Sequence, residues 1–172
     1  LLAAAGTQLA ATGMVRYYSD GIQRFMVRHG ERYLHHNFVV ALLNDLFGVQ
    51  ARGGCSCAGP YGHRLLGIDL PTSLEFAEEI QRGSEGVKPG WVRVNFNYFL
   101  SEVQFQFLLD AIHLVAKDGW RFLPDYTFCP ETGLWRHRRG RHVRRRAQRP
   151  RRPLDRGRTS DQCCVWVAGD VG

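Results

Sequence analysis

The chain has 172 residues, of which 44% are hydrophobic and 12% aromatic, enough for one ordinary domain with a packed core. No apolar run approaches the roughly 18 residues that span a bilayer, and the Ala-rich opening lacks a basic flank and is broken by Thr7 and Gln8, so neither a membrane span nor a signal peptide is expected. The net charge of +7 is uneven: residues 1–135 carry 11 Lys and Arg against 13 Asp and Glu, a net −2, whereas residues 136–172 carry 12 Arg against 3 Asp, a net +9.

Residues 1–24 are rich in small and polar residues and read as a partial lead-in from a larger domain. Phe25 to His29 reads as a short strand closed by Gly30. Phe38, Val39, Leu42, Leu43, Leu46 and Phe47 then form one apolar stripe at helical spacing, with Asn37 as the expected cap and Gly48 as the stop. Val49 to Arg52 reads as a strand leading into a glycine-rich loop over residues 53–62. Thr72 and Glu75 predict a capping box for a helix through Leu74, Phe76, Ala77 and Ile80.

Pro89-Gly90 turns the chain into a strand over residues 91–98. Its alternation puts Val92, Val94, Phe96 and Tyr98 on one face and Trp91, Arg93, Asn95 and Asn97 on the other. Ser101 and Gln104 form a second capping box. The helix behind it draws its apolar face from Val103, Phe107, Leu108, Ala111, Ile112 and Val115, and Gly119 is its expected end. From Arg136 onward the chain is Arg- and Pro-rich and too poor in apolar residues to offset chain entropy, so residues 136–172 are expected to be a disordered tail. The organisation expected is a lead-in over 1–24, an α+β domain over 25–135 with a short sheet packed in three-layer fashion against helices, and the tail.

Two places could carry chemistry. Cys55 and Cys57 sit in the glycine-rich loop beside Arg52, whose charge would favour a thiolate, the reactive form. Arg93 lies mid-strand on the polar face with Asn95, where a rigid guanidinium can grip a carboxylate through two hydrogen bonds. The bland alternatives are a glycine turn with incidental cysteines and a solvated strand face. Cys55-x-Cys57 with His63 offers too few ligands for a structural zinc site, so no metal is expected. His35 and His36 at a helix start suit capping or packing. The other cysteines are Cys129, Cys163 and Cys164. An odd number without a secretory signal points to a reducing compartment and a cytoplasmic location.

The run from Leu34 to Pro60, with Arg52, Gly54, Cys57 and Ala58 in the pattern Arg-x-Gly-x-x-Cys-Ala, together with the arginine strand Val92-Arg93-Val94 ahead of Ser101-Glu102, resembles the C-terminal small domain of class V aminotransferase-fold enzymes, of which the cysteine desulfurases are the best-known branch. The resemblance covers roughly residues 25–135. It implies a small domain of a fold-type I enzyme dependent on pyridoxal 5′-phosphate, an amino-acid substrate whose carboxylate is held by Arg93, Cys57 as nucleophile or pocket residue with Cys55 beside it, and lesser parts for Arg52 and Asn95. It also implies a homodimer and a large domain whose lysine binds the cofactor. That lysine is not in this chain: Lys88 precedes Pro89 in a turn and Lys117 ends a helix, and neither has the family's context. The chain alone is therefore expected to be inactive. The sequence departs from the desulfurases where Cys55-Ser56 stands in place of a frequent His-His, and in an additional helical segment around residues 72–82.

The alternatives are an Arg-tailed module for nucleic acid or an acidic partner, and a degenerate remnant. The arginines of residues 136–158 could neutralise phosphates, but the run has no interleaved aromatics.

Overall fold

The computed structural model describes residues 15–19, 23–54 and 59–140. They form a mixed α+β fold with two short antiparallel sheets. The larger sheet has the order β1-β2-β5-β4, from β1 (Val15–Ser19), β2 (Gln23–His29), β4 (Arg52–Gly54) and β5 (Trp91–Val94), with β3 (Arg32–Tyr33) also paired to β2. The helices are α1 (His36–Phe47), α2 (Gly59–Leu66), α3 (Leu70–Gln81) and α4 (Glu102–Asp118), and β6 (Tyr126–Cys129) and β7 (Leu134–His137) form a C-terminal hairpin.

One face of the large sheet builds the core. Phe25 and Val27 of β2 and Val92 and Val94 of β5 alternate inward and pack with Phe38, Val39, Leu42 and Leu43 of α1 and with Phe105, Leu109, Ile112 and Val115 of α4. Each of these is nearly or fully buried, and full burial of such a side chain is worth about 1.5–3 kcal/mol relative to exposure. The apolar stripe of α4 is rotated from its expected position. Val103 and Phe107 point outward, and Phe105, Leu109, Ile112 and Ala116 face the core. Both sets have helical spacing. The helix is apolar on more than one side, so periodicity alone could not choose between them.

Helix α1 is capped by His35 rather than Asn37: His35 Nδ1 accepts from the Asn37 N–H at 3.2 Å, while the Asn37 amide donates to the Gly133 carbonyl at 2.7 Å. At its other end Gly48 adopts φ 67°, and the Gly48 and Val49 N–H groups donate to Asn44 and Leu43, each at 3.0 Å, a left-handed stop that glycine makes without steric cost. For α3 the cap is Asp69, whose carboxylate accepts from the Thr72 N–H at 3.0 Å, so the expected Thr72–Glu75 box is not the one formed. The Ser101–Gln104 box is formed in both directions.

Four stretches depart from expectation. The strand expected over 49–52 lies at Arg52–Gly54. Strand β5 ends at Val94; Phe96 still packs edge-on against Phe105 at 5.4 Å, but residues 98 and 99 turn away and Tyr98 is 98% exposed, not on the core face. The loop expected through residue 62 is helical from Gly59, and the His63 ring in that helix hydrogen-bonds the Ser73 hydroxyl at 2.6 Å, joining α2 to α3. Gly119 caps the end of α4 as expected, and the chain continues directly into a 3-10 helix over Gly119–Asp125; a Cβ on Gly119 would come within 3.0 Å of Leu42 and 3.2 Å of Val115. Strand β7 crosses the boundary expected after Trp135.

Candidate anion-binding site

The strand register builds the site. Arg93 of β5 is the cross-strand partner of Arg24 on β2 and of Arg52 on β4. Directly opposed residues on antiparallel strands project to the same face, with Cβ atoms about 4.5–5.5 Å apart. The three arginines therefore form one row across the sheet. Val92 and Val94 go to the core on the other side. Trp91 shares the arginine face and is fully buried, and the Arg24 guanidinium lies over its ring with 5.2 Å to the centroid.

Arg93 is half-buried and Arg52 exposed. Neither has an acidic partner among the described residues, whose ion pairs are Arg28–Glu31, Arg82 with Glu78 and Glu79, Lys88–Glu85 and Arg121–Asp118. Arg93 Nε is buried without a hydrogen-bond acceptor. Like charges placed directly opposite one another on a sheet are destabilising, and a buried donor without a partner adds a desolvation cost. The row is a place where a bound anion would relieve both costs.

Of the expected site residues, Arg93 and Arg52 are brought side by side. Asn95 follows the end of β5 and is exposed. Cys55 and Cys57 lie outside the described residues, as do Cys163, Cys164 and the arginines of the tail from residue 141. The strand from which the cysteine loop departs, β4, is hydrogen-bonded to β5 with Gly54 opposite Trp91. Arg24 was not expected. The signal for it was present in the alternation of Phe25 and Val27 with Arg24 and Met26, but only the register reveals that it stands opposite Arg93.

A second polar cluster lies at the start of α1. His35 Nδ1 accepts from the Trp135 indole N–H at 3.1 Å as well as from Asn37, and His35 Nε2 lies 3.0 Å from the Gly86 carbonyl, so the neutral ring carries its proton on Nε2 and donates there. The His36 ring stacks on His35 with centroids 4.4 Å apart. Burial lowers the pKa of both histidines, that of His36 to about 3 with the neighbouring His35 adding to the effect. Phe128 and Trp135 complete the cluster around His35. The Tyr126 hydroxyl donates to Asp45 at 2.9 Å, and burial together with that carboxylate pushes its pKa up. These contacts fasten the C-terminal hairpin to α1.

The residues present do not fit pyridoxal phosphate as a covalently held group. Lys88 is ion-paired to Glu85 in a surface turn, and Lys117 is exposed in the last turn of α4. Among the described residues there is no cluster of three metal-ligating side chains, and no helix is long and apolar enough to cross a membrane. No protein-family model, curated protein or solved structure matches the chain.

Proposed function

We propose that the chain is the substrate-gripping small domain of a pyridoxal-phosphate-dependent enzyme of the class V aminotransferase and cysteine desulfurase type, acting on an amino acid. The observation that carries the reading is the register that sets Arg93, without an acidic partner, beside Arg52 on the strand leading into the cysteine loop. In this reading the Arg93 guanidinium holds the substrate carboxylate through two parallel N–H donations, held in place by a strand whose opposite face is locked in the core. Cys57, as nucleophile or pocket residue, and Cys55 beside it, enter through the sequence resemblance alone. The cofactor, which supplies an electron sink, belongs to a lysine-bearing large domain outside these 172 residues. The chain alone is then inactive, and the assembled enzyme is a cytoplasmic homodimer.

The test is to express this chain joined to the lysine-bearing segment encoded beside it. The joined protein should show the visible absorption of bound pyridoxal phosphate, and Arg93→Lys should raise KM for the amino acid more than it lowers kcat. A joined protein that binds no cofactor would remove this reading and leave a remnant or an Arg-tailed binding module. The latter rests on the +9 charge of residues 136–172, and truncation after His137 should then abolish binding to nucleic acid.

A further inference from the structure

We infer that the site takes a ligand with two carboxylates, so that the substrate class is an acidic amino acid, with one carboxylate on Arg93 and the other on Arg52. The inference rests on the reading of Arg93 as the carboxylate holder and adds to it the neighbouring arginine.

Arg52 and Arg93 are directly opposed on β4 and β5 and therefore project side by side. Together they present two positive charges that no described carboxylate neutralises. A ligand with a single carboxylate pairs with one of them and leaves the other guanidinium without an anionic partner. A dicarboxylate answers both.

Gly54 shares the Arg52 side of β4 and stands opposite the buried Trp91, so no side chain at 54 competes with Arg52, which is exposed. Arg24, stacked over Trp91 in the same row, is not required as a ligand.

The experiment titrates the isotope-labelled 172-residue chain with acetate, succinate and inorganic phosphate. It follows amide shifts of residues 52–54 and 91–94 by NMR at about 0.15 M salt, where the screening length is about 8 Å. Shifts in residues 136–172 report any loose association with the tail. Succinate should bind the strands about tenfold more tightly than acetate, the increment expected of one additional charge-assisted pair. Arg52→Gln, an exposed position where misfolding is not expected, should bring that ratio close to one while acetate still binds. Arg93→Gln should abolish binding of both. A ratio near one in the unmodified chain, or a ratio unchanged by Arg52→Gln, overturns the dicarboxylate inference alone, because loss of acetate in Arg93→Gln would still support the carboxylate holder. Acetate binding that survives Arg93→Gln overturns the holder itself. Phosphate bound more tightly than succinate replaces the dicarboxylate with a compact dianion. Shifts confined to the tail overturn both.

Discussion

Acid should destabilise this domain through His36. In the unfolded chain its imidazole titrates at the ordinary value of 6.5, and in the fold, buried against His35, at about 3. The folded pKa is depressed, so below 6.5 the unfolded chain binds a proton that the folded chain refuses. The stability gained by keeping the ring neutral is full above 6.5 and drains away as pH falls toward 3. Each pH unit in that window costs about 1.4 kcal/mol. Between pH 7 and pH 5 the loss from His36 is therefore about 2 kcal/mol, a large share of the 5–15 kcal/mol that holds an ordinary domain. His35 adds a loss of the same sign, because burial disfavours its charged form and a proton on Nδ1 would also displace the N–H donors of Trp135 and Asn37. Urea unfolding followed by tryptophan fluorescence at the two pH values measures the sum. His36→Gln should cost stability at pH 7 yet lose about 2 kcal/mol less than the unmodified chain on going to pH 5. Equal losses in the two proteins would show that His36 is not held neutral in the fold.

Other perturbations follow from named contacts. Trp135→Phe keeps the ring among Phe38 and Phe128 but removes the indole donor to His35; it should cost about 1 kcal/mol, read from thermal unfolding. Ser101→Ala removes the cap of α4 and should also cost about 1 kcal/mol by the same measurement. Arg52→Gln should do the opposite, stabilising the unliganded chain by about 0.2–1 kcal/mol because it relieves a like-charge pair. That gain should shrink as salt is added, and a loss of stability would show that Arg52 is not opposed by Arg93.

The elements and the site differ in how much of them could be read from the sequence. The α1 stripe as far as Leu43, its Gly48 stop, the Ser101 box and the alternation of β5 over Trp91–Val94 are local signals, encoded within a few residues of where they act, and they appear where expected, whereas Leu46 of the stripe is exposed. Local signals failed where two of them competed. Asn37 is a good cap by type, but its side chain is drawn to Gly133, 96 positions away, and His35 takes the cap. Thr72 yielded to Asp69, a stronger acceptor three residues earlier. Alternation continued in the sequence to Tyr98, although the pairing partner of β5 on one side, β4, is only three residues long and the ladder stops at Val94. The helix at Gly59 was masked by glycines and a proline that read as loop residues. Arg93 could be singled out from its place on a strand. Arg52 could be named only from its place beside the cysteine loop, and neither its opposition to Arg93 nor that of Arg24 could be read, because register is a property of two strands and neither sequence states it alone.

That register also explains why the two polar clusters belong together. A sheet stabilised only by packing would gain by replacing either arginine of the opposed pair, and nothing on the core face requires them. The opposed pair costs stability that the proposed binding of an anion would offset. The strand that carries Arg52 is in turn positioned by the histidine cluster. Gly53 has no Cβ, and the space a Cβ would fill is taken by the His36 ring and the Asn37 amide at the start of α1. His35, bonded to Trp135 and Gly86, holds that helix start against the C-terminal hairpin and the turn before β5. The hairpin, the helix start and β4 therefore form one chain of contacts that ends at the arginine pair. A proton forced onto His36 acts at the backbone of Gly53, one residue from Arg52, so acid should loosen the arginine pair's geometry at a lower cost than global unfolding. Between pH 7 and pH 5 the opening free energy read from amide exchange at residues 52–54 should fall by about 2 kcal/mol in the unmodified chain, and by clearly less in His36→Gln.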